Sequence, residues 1–142
     1  MPVGERSSRL LGRNDLLARL GGDEFALMRR DCSREEAVAL AEGLTEGPLV
    51  LVGSSMGGWI ALLLARQMPE RIAGLVGIAA APDFTEDSMW AAFSPAQRER
   101  LTAEGALAIP SDYGDPYTIT RRLIEEGRSR LVLRDALHLP FP

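Results

Sequence analysis

Apolar runs broken by glycine and polar residues divide this chain into strands and helices. The stretch that organises it opens at Leu49-Val50-Leu51-Val52, breaks at Gly53-Ser54-Ser55-Met56-Gly57-Gly58, and resumes over Trp59-Ile60-Ala61-Leu62-Leu63-Leu64-Ala65 before Pro69. A run that is apolar at every position suits a parallel strand buried on both faces, and the second run has a length that only a buried helix fits. The pattern predicts strand, sharp turn, helix. Ile72-Ala73-Gly74-Leu75-Val76-Gly77-Ile78-Ala79 then predicts a second buried strand, which makes a βαβ unit with the helix as its crossover.

Upstream, Leu16-Leu17-Ala18-Arg19-Leu20 and Phe25-Ala26-Leu27-Met28 flank a Gly21-Gly22-Asp23-Glu24 turn, a hairpin signal. Ser33-Arg34-Glu35-Glu36 is a capping box that opens a helix carrying Ala37, Val38, Leu40, Ala41 and Leu44. Downstream, the segment from Thr85 to Arg134 reads as helices laid over the sheet. Thr85 caps one running through Trp90 to Phe93. Ser94-Pro95-Ala96-Gln97 opens a second that Gly105 ends, and a third runs from Pro116 to Glu126 with Gly127 as its stop.

Chemistry enters at the turn. Gly53 and Gly57 flank Ser55 two residues away on either side, the G-x-S-x-G spacing in which a strained strand-to-helix turn exposes a serine hydroxyl. Side chains at Gly53 and Gly57 are expected to collide with the turn. The Met56 N–H, at the helix start, is placed to donate to an oxyanion beside Ser55. Gly53-Ser54-Ser55-Met56-Gly57-Gly58-Trp59 resembles the α/β-hydrolase superfamily, more narrowly bacterial hydrolases related to depalmitoylating thioesterases and acyl-glucuronide esterases. Pro110-Ser111-Asp112-Tyr113 and the Arg121–Arg128 run extend that likeness, which covers most of 45–142. It implies Ser55 as acyl-accepting nucleophile, a small acyl ester or thioester substrate and no cofactor. A helical cap in that family covers the acyl group. Trp90, Phe93, Tyr113 and Tyr117 therefore either line an apolar pocket or belong to the core. Asp83, at the carboxyl end of the second strand, either lines the site or is a turn acid after Pro82.

A serine hydroxyl needs a base, normally His, and an acid that orients it, in the chain order Ser, acid, His for this fold. His138 is the single histidine and lies in the apolar run Leu137-His138-Leu139-Pro140. It is either the base or, more in keeping with a lone histidine in a terminal run, incidental, and the constellation is incomplete.

Arg19-Leu20-Gly21-Gly22-Asp23-Glu24-Phe25 resembles the signature of the GGDEF domain of diguanylate cyclases. By that likeness Gly21 and Gly22 approach a nucleotide, Asp23 binds metal and Glu24 positions the substrate, with GTP and Mg2+ as implied partners. The family's inhibitory site has Arg where this chain has Gly12, and its further metal-binding acid lies on an earlier strand for which the 22 residues before Asp23 leave no room. The two likenesses exchange near Gly43 to Thr45. The expected organisation is a partial GGDEF-like segment over 1–44 and a partial α/β-hydrolase domain over 45–142, together an α/β chain.

Composition narrows the picture further. Across 142 residues, 46% hydrophobic and 25% charged, one globular core is expected, and the net charge of −4 argues against nucleic acid or an anionic membrane as partner. All 16 basic residues are Arg. The lone Cys32 excludes an internal disulfide, and without an 18-residue apolar run or a leader pattern a cytoplasmic location is the default. Two strands apolar on both faces need more neighbours than this chain securely supplies, so self-association is expected.

Overall fold

The computed structural model describes residues 11–12, 15–21, 24–29, 34–45, 47–111 and 114–141. The sequence readings on residues 3–10, on Gly22 and Asp23, on Cys32 and Ser33, and on Asp112 and Tyr113 lie outside them. The described chain divides into two compact units with the boundary between Leu49 and Val50.

In the first unit, β1 (Leu16–Gly21) pairs antiparallel with β2 (Glu24–Met28), with Leu17 opposite Leu27, Ala18 opposite Ala26 and Gly21 opposite Glu24. Helix α1 (Arg34–Leu44) follows, with Val38 buried. Beside the hairpin, Arg29 Nε donates to Asp15 Oδ2 at 2.8 Å, and Gly12 N–H donates to the same oxygen at 2.8 Å. The guanidinium holds the Asp15 carboxyl below its ordinary range, and the backbone amide adds to this.

In the second unit, β3 (Leu49–Ser54), α2 (Met56–Gln67) and β4 (Ile72–Ile78) follow one another, and β3 pairs with β4 in one sheet. A helical crossover is the connection that parallel strands require. The expectation of strands buried on both faces fails here. Val50 and Val52 on β3 and Val76 and Ile78 on β4 are each about half exposed or more. With two strands in the sheet, alternate residues turn to a face that nothing among the described residues covers. No helix among the described residues is long and apolar enough to cross a membrane.

After β4, a π-helical turn (Thr85–Trp90) leads to α3 (Pro95–Glu104). The capping box at its start is present in both directions. Ser94 Oγ accepts from Gln97 N–H and Gln97 Oε1 accepts from Ser94 N–H. Gly105 closes the helix in the left-handed conformation, φ 80°.

The all-helical reading of 85–134 is corrected beyond Gly105. Strands β5 (Ala106–Ser111) and β6 (Gly114–Thr120) form an antiparallel hairpin with Leu107 opposite Ile119 and Ile109 opposite Tyr117. Helix α4 (Arg121–Arg128) starts only after it, with Thr120 Oγ1 accepting from Leu123 N–H at 3.2 Å. Leu107, Ile119, Ile124, Leu101 and Phe93 make one apolar cluster, with Met89, Trp90 and Ile109 against it. The hairpin and the two helices therefore share a core. At the strand spacing of two, Leu107 and Ile109 point the same way, which is what lets a strand face α3 and α4 together.

Thr85 does not cap. It is fully buried, and its Oγ1 has no hydrogen-bond partner. Gly127 does not end α4 either; it sits within that helix, and a Cβ on it would stand 2.1 Å from Thr85 Oγ1 and 2.9 Å from Thr85 Cβ. The absence of a side chain at Gly127 is what lets α4 lie against the π-helical turn. Gly127→Ala should cost about 1–3 kcal/mol through overpacking, measured by chemical denaturation. Thr85→Ala loses no hydrogen bond and should cost less, and the double variant should cost less than the sum of the two. Strict additivity would mean that the two residues do not press on one another.

Candidate active site

Ser55 stands between β3 and α2 at φ 51° and ψ −123°, a backbone conformation that L-residues rarely adopt. Three hydrogen bonds hold it there. Ser55 N–H donates to Ile78 O at 3.1 Å, and Ser55 O accepts from Gly58 N–H and Ala81 N–H, each at 3.0 Å. The serine is thereby tied to its own helix, to the last residue of β4 and to the loop beyond it.

Glycine is required here by close approach, although not at both expected positions. A Cβ on Gly53 would meet Gly57 O at 2.3 Å, and a Cβ on Gly58 would meet Ala80 Cβ at 2.4 Å. Nothing lies within 4 Å of a Cβ on Gly57. The steric reading of Gly53 stands, while that of Gly57 is corrected to Gly58, which faces the strand-end loop. Ser55 itself is exposed. The Met56 N–H, first in α2, has no acceptor among the described residues and belongs to the turn whose amides a helix leaves unsatisfied.

Asp83 is not a pocket acid. It is fully buried at φ 56°, and its Oδ1 accepts from Val132 N–H at 2.8 Å while Oδ2 accepts from Leu133 N–H at 2.9 Å and from Arg134 at 3.2 Å. Arg134 also pairs with Asp87. Two amides and a guanidinium satisfy a carboxylate that would otherwise be very costly to bury. Asp83 is thus a clamp that fastens the segment after α4 to the loop after β4. Trp59 adds a second tie: its indole N–H donates to Arg130 O at 3.1 Å, and its ring meets Phe84 edge-on at 5.6 Å.

Of the aromatic candidates, Phe93 is a core residue and Trp90 packs against that core, 6.4 Å from it ring to ring. The guanidinium of Arg128 lies 4.5 Å and that of Arg98 5.2 Å from the Trp90 ring, so its outer surface is taken up by cation–π contacts. Tyr117 projects from β6 into solvent, about half exposed.

His138 lines a cavity with Arg66 and Pro69, at the C-terminal end of α2. Ser55 precedes the N-terminal end of that helix, about 16 Å away along its axis at about 1.5 Å per residue. His138 makes no hydrogen bond to Ser55, so the structure does not bring this imidazole to the hydroxyl. No group of three or more metal-ligating side chains is gathered among the described residues.

Fold and turn place the chain in a family: residues 23–117 match the alpha/beta hydrolase fold, and the chain belongs to that family. The match reaches back through α1 to β2, across the expected change of family at 43–45. Among curated relatives, the mitochondrial palmitoyl-protein thioesterase ABHD10 of Rattus norvegicus is 32% identical over 111 residues, covering 77% of this chain and 36% of the rat protein. A solved structure described as a hydrolase from Agrobacterium vitis S4 is similar at TM-score 0.69 and 36% identity, over 76% of this chain and 44% of that one. Mouse alpha/beta hydrolase domain-containing protein 10 is similar at TM-score 0.67 and 27% identity, over 79% and 47%. The chain spans about a third of the length of the curated relatives it matches.

Breaking the clamp should loosen the segment it holds. Asp83→Asn keeps the shape but removes the charge and one acceptor, and should lower stability by about 2–4 kcal/mol. Amide exchange at Val132 and Leu133 should speed up before exchange in the Leu101–Ile124 core does. Unchanged protection at both amides would exclude the clamp.

Proposed function

We propose that the chain carries the nucleophile elbow of a serine acyl hydrolase, with Ser55 as the acyl-accepting nucleophile and a small ester or thioester as substrate. The observation that carries this reading is the strained, exposed Ser55 at a strand-to-helix turn, locked by three backbone hydrogen bonds. The thioesterase name of the curated relatives supports the acyl thioester. In this reading Ser55 Oγ attacks the acyl carbonyl carbon, and the Met56 N–H donates to the oxygen that becomes negative. The hydroxyl proton must pass to a base, and no described side chain is hydrogen-bonded to Ser55 to take it. Loss of that transfer typically removes about four to six orders of magnitude of triad catalysis.

An organophosphonate probe for activated serines tests the assignment. Labelling by this chain should be slow and confined to Ser55, abolished in Ser55→Ala and unaffected in His138→Ala. Fast stoichiometric labelling lost in His138→Ala would make that residue the base. Labelling that persists in Ser55→Ala would remove Ser55 from its role.

A second reading rests on the β1–β2 hairpin, where Gly21 and Glu24 face one another across the turn of the GGDEF-like stretch. As a nucleotide module it would take GTP and Mg2+ at Gly21, Gly22, Asp23 and Glu24. Phosphoryl transfer needs several groups to position and neutralise the phosphates. GTP with Mg2+ should therefore yield no cyclic dinucleotide, assayed by chromatography. Product abolished in Asp23→Ala would promote this reading over the hydrolase.

A further inference from the structure

The cavity that holds His138 lies at the end of α2 opposite Ser55, and its chemistry differs from that of the elbow. It measures about 270 Å³ and is bounded by Arg66 and Pro69 on one side and by residues of the Leu131–His138 segment on the other. A cavity of about 150 Å³ accommodates benzene, so this one is large enough for a small aromatic or branched molecule carrying a polar group. Pro69, Leu131, Val132, Ala136 and Leu137 supply apolar wall.

The polar side of the cavity is unequally committed. Arg134 is engaged by Asp83 and Asp87. Arg66 has no carboxylate partner among the described residues and makes one bond, from Nη1 to Leu131 O at 3.3 Å. A guanidinium has five N–H donors in a planar fork, so most of the Arg66 donors are left for a ligand. His138 stands on the facing wall and can offer a ring N–H. Asp135 is the one acid on the rim, and it too forms no ion pair among the described residues. As a carboxylate on the same rim, it disfavours a bound anion by like charge.

The geometry points to a binding site for a small carboxylate with an apolar body, its carboxylate seated on the Arg66 fork and its body against Pro69 and Leu131. The site is independent of any chemistry at Ser55. A planar carboxylate matches the fork through two parallel hydrogen bonds, which an ammonium or a neutral amide does not reproduce. The Asp83 clamp and the Trp59–Arg130 bond fasten the start of this wall, at Arg130, Val132 and Leu133.

4-Fluorobenzoate, observed through its own 19F signal, is the probe, with 4-fluorobenzamide and inorganic phosphate as comparisons. Benzoate should broaden and shift on titration with the protein, and the benzamide should bind at least tenfold more weakly. Arg66→Gln should weaken benzoate at least tenfold, Arg66→Lys by a smaller factor, and Asp135→Asn should tighten it several-fold. Thermal melts of each variant establish that it is folded. Phosphate displacing benzoate with equal or greater affinity would overturn the apolar-body assignment in favour of a bare anion site. Benzoate binding equally well to folded Arg66→Gln, or not binding the parent protein at millimolar concentration, would overturn the site altogether.

Discussion

The backbone of Ser55 is the constraint on which the second unit depends. A residue at φ 51° and ψ −123° costs about 1–3 kcal/mol relative to an ordinary conformation, and it persists only where neighbours over-determine it. Here they do. The amide is held by Ile78 O, the carbonyl by Gly58 and Ala81 amides, and the two flanking glycines that matter remove the side chains that would occupy the same space. Relaxing the serine to an ordinary conformation would break the hydrogen bonds that tie the turn to Ile78 and Ala81. The strain is therefore stored in the way the strand–helix–strand unit closes, and the hydroxyl is presented by that closure.

The second dependence runs through buried charge. The segment after α4 has no strand or helix of its own over 131–139, so backbone pairing cannot secure it. Asp83 does so instead, offering acceptors to two consecutive amides from within the loop that also carries Ala81. The elbow, the loop after β4 and the terminal segment thus form one chain of hydrogen bonds. Beyond that chain of bonds, His138 lines a cavity with Arg66 and Pro69 at the C-terminal end of α2, away from Ser55.

What could be read from the sequence follows from how local each determinant is. The elbow was legible because strand, turn and helix lie within about twenty residues and glycine, serine and apolar runs mark each part. The α3 capping box and the Gly105 stop were legible for the same reason. The β5–β6 hairpin was not. Pro110 and Pro116 sit inside its strands, and proline ahead of a polar–apolar run reads most simply as a helix start. The alternation of Leu107 with Ile109 and of Tyr117 with Ile119 was the signal that favoured strands. Asp83 looked like a turn acid because its partners lie 49 to 51 residues further on, and nothing near it in the chain announces them. The choice of Gly58 over Gly57 turns on Ala80, which only the folded strand-end loop brings into contact.

The orientation of the turn serine and the supply of a base to it are separable in this architecture. The hydrogen bonds and close contacts that orient Ser55 come from β3, α2, the end of β4 and the loop after it, within residues 53 to 81. A base that serves the hydroxyl must instead arrive from elsewhere in the fold, because no residue in that interval is an imidazole. In triad enzymes, positioning and oxyanion stabilisation alone leave about 10³–10⁴-fold catalysis over water when the relay is removed. The geometry of the turn therefore fixes how the Ser55 hydroxyl is presented, whether or not a base stands beside it.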